Sequence, residues 1–294
     1  MAATTQATTL QIERPQPLWA AALRRFLRHR IGMLGALIIG LLVIVAIFGP
    51  SIAPYPPDEM HFMDPFADPN SDFLMGTDDF GRDTLSRILY GARVSLMVGG
   101  IAVSLAATVG TALGMIAGYV GRLVDEAIMR SMDILMAFPT ILLAIAIMAI
   151  LGKGVENAMI AIGVVYIPIF ARIARGEVLS VKNEEYVQAA RALGARDSAI
   201  LLRHILPNIV PPIIVEISLS LSFAILAEAA LSFFGLGTQP PDPSWGLMLK
   251  ESRGFFNQSV WMGIFPGVAI MLTVMGFNFL GDGLRDALDP RMKR

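Results

Sequence analysis

The chain has no cysteine among its 294 residues. That absence excludes disulfides, thiolate metal sites and cysteine nucleophiles. No G-x-x-x-x-G-K-[ST] stretch occurs, so nothing in it is built to cradle nucleotide phosphates. The three histidines, His29, His61 and His204, are too scattered for a metal site or a catalytic triad. No cofactor, no metal and no catalytic residue are expected, so the chain is not expected to be an enzyme. Charge is scarce too: 16% of residues are charged and the net charge is −1, against about 25% charged in soluble domains. No basic stripe is present, which argues against nucleic acid as a partner.

What is there is apolar: 55% of residues are hydrophobic and the mean hydropathy is +0.63. Ile31 to Gly49 (IGMLGALIIGLLVIVAIFG) carries no charge and comes close to the roughly 20 residues needed to cross ~30 Å of hydrocarbon. It is longer than the core of a secretory signal, and Pro50, Ser51 and Ile52 follow it rather than a small-residue cleavage site. A retained span is expected. Further apolar segments lie at about 94–120, 127–151, 157–172, 209–236 and 260–281. Lipid leaves exposed backbone groups unsatisfied, which rules out isolated strands, and the alternating pattern of a membrane barrel is missing. The expected fold class is an all-α membrane protein with six transmembrane helices.

Lys and Arg placement orients it. With the N-terminus inside, seventeen of the 23 basic residues fall on the cytoplasmic side. The six on the other side are Arg82, Arg87, Arg93, Lys153, Lys250 and Arg253. Both termini are therefore expected in the cytoplasm. The expected organisation is a cytoplasmic segment at 1–30, a first span at 31–50, an extracytoplasmic loop at 51–93, a core at 94–283 and a cytoplasmic tail at 284–294. Within the core, a cytoplasmic loop is expected at 173–208.

The outer loop is acidic and begins Pro-rich, which reads as irregular chain. Its last part, DTLSRILYGAR, places Leu85, Ile88 and Leu89 at helical spacing after a capping Asp83. It reads as a short amphipathic helix at the outer surface, or equally as the lead-in turns of the second span. Gly110, Gly114 and Gly118 recur every four residues, which makes a smooth helix face for close packing within the chain. Pro139, Pro168 and Pro266 fall inside spans and permit kinks. Asp133, Glu216 and Glu228 also fall inside spans, where an ionised group costs at least ~2.5 kcal/mol at the centre. Asp133 is one turn from Arg130 and is expected to pair with it. Glu216 and Glu228 are candidate pathway residues or partners for other helices. They sit about 120° apart around their helix, so they do not form one site.

The stretch EEYVQAARALGARDSAILLRHILPN, residues 184–208, is polar between long apolar runs. Asn183 is expected to cap a helix with Glu184 and Glu185 in its first turn and Arg191 in its last. Gly194 stands where a helix ends in a left-handed residue. A second helix is expected from Asp197 or Ser198 to Leu206, stopped by Pro207. Two short helices would thus meet at a glycine corner, with Ala189, Ala190 and Ala192 giving a flat surface.

Ala189-Ala190, Gly194 and Leu206-Pro207 resemble the EAA loop of permease subunits of binding-protein-dependent ABC importers. Gln188 stands at that pattern's Glu position and His204 at its Ile position. GTDDFGRDTLSRILYGARVSL (Gly76 to Leu96), MAFPTILLAIA (Met136 to Ala146), QPPDPSWG (Gln239 to Gly246) and FNFLGDGLRDALDP (Phe277 to Pro290) extend the likeness over nearly the whole chain. Together they resemble the C-type permease of dipeptide/oligopeptide importers, a family with glutathione and nickel members. The resemblance implies a type I ABC importer permease fold in the cytoplasmic (inner) membrane. It implies four partners besides membrane lipid: a second homologous permease, two cytosolic ATP-binding subunits and an extracytoplasmic solute-binding protein. It also implies that Glu185, Tyr186, Gln188, Ala189, Ala190, Arg191 and Leu193 contact an ATPase, with Gly194 the corner and Leu206-Pro207 the return to the membrane. An ion-gradient-driven secondary transporter is the alternative, and it predicts midplane ion sites and inverted repeats.

Overall fold

Among residues 18–288, which the computed structural model describes, the chain is helical with no strand. Arg14, Arg291, Lys293 and Arg294, part of the basic excess at the two ends, lie outside the described residues. A short helix α1 (Leu18–Phe26) leads into α2 (Arg30–Ile52) and α3 (Thr84–Val120). Then come α4 (Arg122–Met136), α5 (Thr140–Leu151), α6 (Val155–Val181), α7 (Glu185–Ala192) and α8 (Asp197–Ala199). The chain closes with α9 (Leu206–Phe233), α10 (Trp245–Ser252) and α11 (Trp261–Leu288).

The glycine stripe on α3 builds the centre of the bundle. Gly110, Gly114 and Gly118 face α6, where a Cβ on Gly118 would lie 3.0 Å from the Arg175 carbonyl oxygen and one on Gly114 2.8 Å from the Ala174 Cβ. Lipid tails are as apolar as the side chains they would replace, so close backbone contact of this kind is what holds helices together in a bilayer. Gly163 of α6 lies against Ala102 and Leu105, and Gly118 against Val178. Residue numbers therefore rise together along α3 and α6, and the two helices run parallel.

Parallel helices require the chain between them to cross back. It does so in two pieces, α4 and α5, bent 94° apart. The expected continuous span at 127–151 is corrected accordingly. Pro139 has no N–H to give and disfavours helix at Phe138, so the helix stops and restarts. α4 bears Arg122, Asp125, Glu126, Arg130 and Asp133, and the apolar part of the crossing shrinks to α5, about 18 Å of helix. Pro168 and Pro266, by contrast, lie inside unbroken α6 and α11.

α9 runs against α3, with Ile225 beside Gly99. α11 runs against α2, with Gly283 on Gly32 and Leu280 on Gly35. The start of α2, the ends of α3, α6 and α11, and α7 consequently share one end of the bundle. The other end carries residues 53–83 and α10. Of the two readings of the stretch before residue 94, the lead-in turns rather than a separate outer helix form: its residues are the first turns of α3, capped by Asp83, which accepts from the Ser86 amide at 2.8 Å. Ser86, Arg87 and Ile88 are buried there rather than spread on a surface.

Candidate functional site

The elbow at residues 182–205 is fastened at both arms. Where α6 ends, Lys182 donates to the Gly118 carbonyl of α3 at 2.7 Å. Asn183 does not cap α7 as expected; its amide donates to Leu179 O, and Glu184 takes the capping position without a side-chain bond. Val187 is the one wholly buried residue of α7 and roots it in the core beside Ile200 and Ile205.

α7 ends as its sequence requires. The Ala195 amide donates to Ala190 O and the Gly194 amide to Arg191 O, with Gly194 at φ +80. These two bonds are a Schellman motif, which needs a left-handed residue and so favours glycine. The motif turns Leu193 outward to 88% exposure and leaves Tyr186 44% exposed. Glu185, Gln188, Ala189 and Arg191 are exposed as well, and Ala190 is half-buried. Burial, then the charge of Glu184, pushes the Tyr186 phenol above its ordinary pKa, which keeps its hydroxyl neutral. The result is an apolar-tipped surface ringed by charge.

The second arm departs from expectation. α8 passes into a π-helical stretch, Ile200–Ile205, and then directly into α9, so Leu206-Pro207 does not stop a helix. Pro207 has no N–H to offer the Arg203 carbonyl and its ring crowds that carbonyl, so the ladder widens there instead of breaking. The Asn208 side-chain amide donates to the next carbonyl, His204 O, at 2.6 Å. Leu206 is half-buried and Pro207 exposed.

Tyr119, in the last turn of α3, joins the two arms. Its hydroxyl donates to Asp197 Oδ1 at 2.5 Å and accepts from Arg191 Nη2 at 3.3 Å, and the Arg191 guanidinium stands 5.6 Å from its ring. Sequence reasoning missed this residue because its partners lie 72 and 78 positions away.

The three carboxylates within spans go to different fates. Asp133 bonds Arg172 of α6 at 2.6 Å, with Arg130 only at 4.0 Å. The expected local pair is thus secondary to an interhelical one. A second clamp, Arg175 to Asp125 at 2.6 Å, fixes α4 on α6 beside it. Glu228, 1% exposed, accepts from Ser95 Oγ at 3.1 Å and Ser232 Oγ at 2.8 Å. It ties α9 to α3. Glu216 accepts from Ser220 and faces a cleft of about 400 Å³ between α6, α9 and α11, with Arg285 on the far wall.

At the opposite end, the Gly76–Leu96 motif explains itself. Asp78 accepts from the Arg82 amide at 2.9 Å and from Arg82 Nε at 2.6 Å. Arg87, almost wholly buried, donates to Glu251 of α10 at 2.7 Å. Burial raises the Glu251 carboxyl above its ordinary pKa, against the pull of Arg87 and then Arg82. Trp245, from the QPPDPSWG motif, donates to Ile88 O at 3.1 Å while Ser244 caps α10. Together these contacts weld α10 to the start of α3.

A bundle of up to six crossings with an elbow projecting from one end defines the type I ABC importer permease fold. The same fold occurs in a chain of the MetNI methionine ABC transporter in its inward-facing conformations, with a TM-score of 0.56, 19% sequence identity, and cover of 68% of this chain and 94% of that one. Residues 110–294 match the binding-protein-dependent transport system inner membrane component, and residues 17–69 the N-terminal TM domain of oligopeptide transport permease C. The dipeptide transport system permease protein DppC of Alkalihalophilus pseudofirmus is 49% identical over 94% of this chain and 90% of its own length. The glutathione transport system permease protein GsiD is 45% identical in Pectobacterium atrosepticum, over 94% of this chain and 92% of the relative. In Escherichia coli O6:K15:H31 it is 47% identical over 94% and 91%. The chain belongs to the family of binding-protein-dependent transport system inner membrane components, as a C-type permease. It is a multi-pass transport component of the inner membrane and not an enzyme.

Proposed function

We propose that the chain forms half of the transmembrane pathway of an ATP-driven importer for dipeptides, oligopeptides or glutathione. Its other half is a second homologous permease; an extracytoplasmic solute-binding protein delivers the solute and two cytosolic ATPases supply the work. The substrate class rests on the named relatives, whose solutes are dipeptide and glutathione. Their membership in a binding-protein-dependent family favours this reading over a gradient-driven transporter.

In this reading the elbow is the coupling element. Glu185, Tyr186, Gln188, Ala189, Ala190, Arg191 and Leu193 dock on an ATPase, and Gly194 sets the angle. The observation that carries it is Leu193, 88% exposed at the tip of a short helix that bears Glu185 and Arg191 and is fixed at both ends. A large exposed apolar residue on a rigid, water-facing support is what a protein partner covers. The basic excess at the same end supports a cytoplasmic elbow, with the segments before α2 and after α11 on the same side. The Asp78–Arg87–Glu251 end then faces the binding protein, and Glu216 with Arg285 flanks the inner mouth of the pathway.

The absence of native cysteine makes the test direct. Leu193→Cys in the otherwise cysteine-free chain should react with a membrane-impermeant maleimide only after the membrane is opened. A heterobifunctional cross-linker on the introduced thiol should capture the ATPase subunit. Labelling of that thiol in sealed, right-side-out cells would reverse the orientation and end the docking role.

A further inference from the structure

We infer that Tyr119 is the positioning residue through which motion of the elbow enters the bundle, and that it enters α3. This rests on the docking role proposed for the elbow. The arms of the elbow continue into α6 and α9, so chain connectivity alone would send a push into those two helices. The hydrogen bonds add a third recipient. Within the last turn of α3, Gly118 O receives Lys182 from the first arm, and the Tyr119 hydroxyl holds Arg191 at the end of α7 and Asp197 at the start of α8. Lys182, Arg191 and Asp197 bracket α7 on both sides of the Gly194 corner. A displacement of α7 that leaves these bonds intact must carry the end of α3 with it.

α3 is suited to carry that displacement onward. It is 37 residues of unbroken helix, about 55 Å long. Backbone contact at Gly110, Gly114 and Gly118 seats it closely along α6. Its first turns are anchored in the outer platform: the Thr84 amide donates to Gly76 O, Arg87 to Glu251, and Ile88 O accepts from Trp245. Packed helices and polar networks with discrete arrangements are what carry coupling over such distances. The tyrosine thus links an elbow at one face of the bundle to a platform at the other.

The test uses the complete importer in lipid nanodiscs and the missing native cysteine. Leu74→Cys puts a reporter on the platform, at a residue 62% exposed, close in sequence to the Gly76–Thr84 anchor. Its maleimide labelling rate is measured without nucleotide and with ATP and vanadate, together with the amount of ATPase that co-purifies. With Tyr119 intact, nucleotide should change the rate about fivefold or more, the low end of a usual coupling between sites. Tyr119→Phe keeps the ring beneath Arg191 and removes only the hydroxyl; the nucleotide response should collapse while the ATPase stays bound. Asp197→Ala should match it, Asp197→Asn should restore most of the response through its amide oxygen, and the Tyr119→Phe/Asp197→Ala pair should be no worse than either alone. A full nucleotide response in Tyr119→Phe would overturn the relay. So would loss of ATPase in step with loss of response, because Tyr119 would then only shape the elbow. If the unsubstituted chain retains no ATPase, the docking reading itself fails and takes the relay with it.

Discussion

Gly114→Ala adds a single methyl group to the chain, yet it should be one of its most damaging small substitutions. The new Cβ would sit 2.8 Å from the Ala174 Cβ and closer still to the Ala171 carbonyl oxygen. Both belong to α6 and neither is the end of a flexible side chain. Ordinary contact between such atoms needs about 3.5 Å or more, so α3 and α6 must separate by most of an ångström along a seam that also holds Gly110 and Gly118. Overpacking of this kind costs about 1–3 kcal/mol. Gly176→Ala, two residues along α6 from Ala174 but on its open face, has nothing within 4 Å of its new methyl. There the substitution only relieves backbone freedom and should be neutral or stabilise by up to about 1 kcal/mol. The assay is thermal unfolding of the detergent-purified chain followed by helical circular dichroism. At about 2–4 °C per kcal/mol in a chain of this size, Gly114→Ala should lower the midpoint by several degrees and Gly176→Ala should not lower it. Equal midpoints for the two variants would refute the claim that backbone contact on this face holds the bundle.

Gly194→Ala should cost the elbow about 1–2 kcal/mol for holding a left-handed residue, with no clash because the space is open; ATPase pull-down should weaken modestly. Gly194→Pro cannot reach φ +80 and also removes the amide that bonds Arg191 O, so uptake should uncouple from hydrolysis while the purified chain unfolds at an unchanged temperature. Gln188→Glu loses only the exposed bond from the Gln188 amide to Lys182 O and should transport within about twofold of the unsubstituted chain, since an exposed bond contributes at most ~1 kcal/mol. Arg87→Met leaves Glu251 only the longer contact with Arg82 at 3.4 Å and should destabilise by up to about 3 kcal/mol, whereas the Arg87→Met/Glu251→Leu pair should recover most of it, because Arg82 keeps Asp78 and no charge is left alone; thermal midpoints decide.

Local and periodic features could be read from the sequence. The glycine stripe, the Asp83 cap and the Gly194 corner each depend on a few consecutive residues, and each stands in the structure as written. The apolar segments marked the crossings, but their ends shifted because helices run on past the hydrocarbon: α3 begins ten residues before its apolar core, and α6 continues nine beyond its own. Pairing across the chain was hidden. Arg130 looked like the partner of Asp133 because it is near in sequence, yet Arg172 wins by reaching from a packed neighbour. Tyr119 and Glu251 offered no signal at all, since a lone tyrosine at a span's end and a glutamate in a loop gain meaning only from their partners. Pro207 misled for a physical reason: its missing N–H can be absorbed by a widened π turn as well as by a stop.

The placement of the polar ties follows from the solvent. Charge pairs gather at the two ends of the bundle: Arg82 and Arg87 with Asp78 and Glu251 at one, Asp125–Arg175 and Asp133–Arg172 at the other. Between them the contacts along α3 and α6 are apolar, with glycine and alanine where the backbones come closest. An ionised side chain at the bilayer centre is costly, whereas a small residue there lets backbones meet at no such cost. Glu228, near the end of α9 that meets α10, is buried too, and serine hydroxyls from α3 and α9 satisfy its carboxyl. A bundle stiff in its middle and tied by polar bonds at its ends leaves those ends as the places where rearrangement is cheapest. The elbow and the platform of residues 53–83 with α10 occupy them.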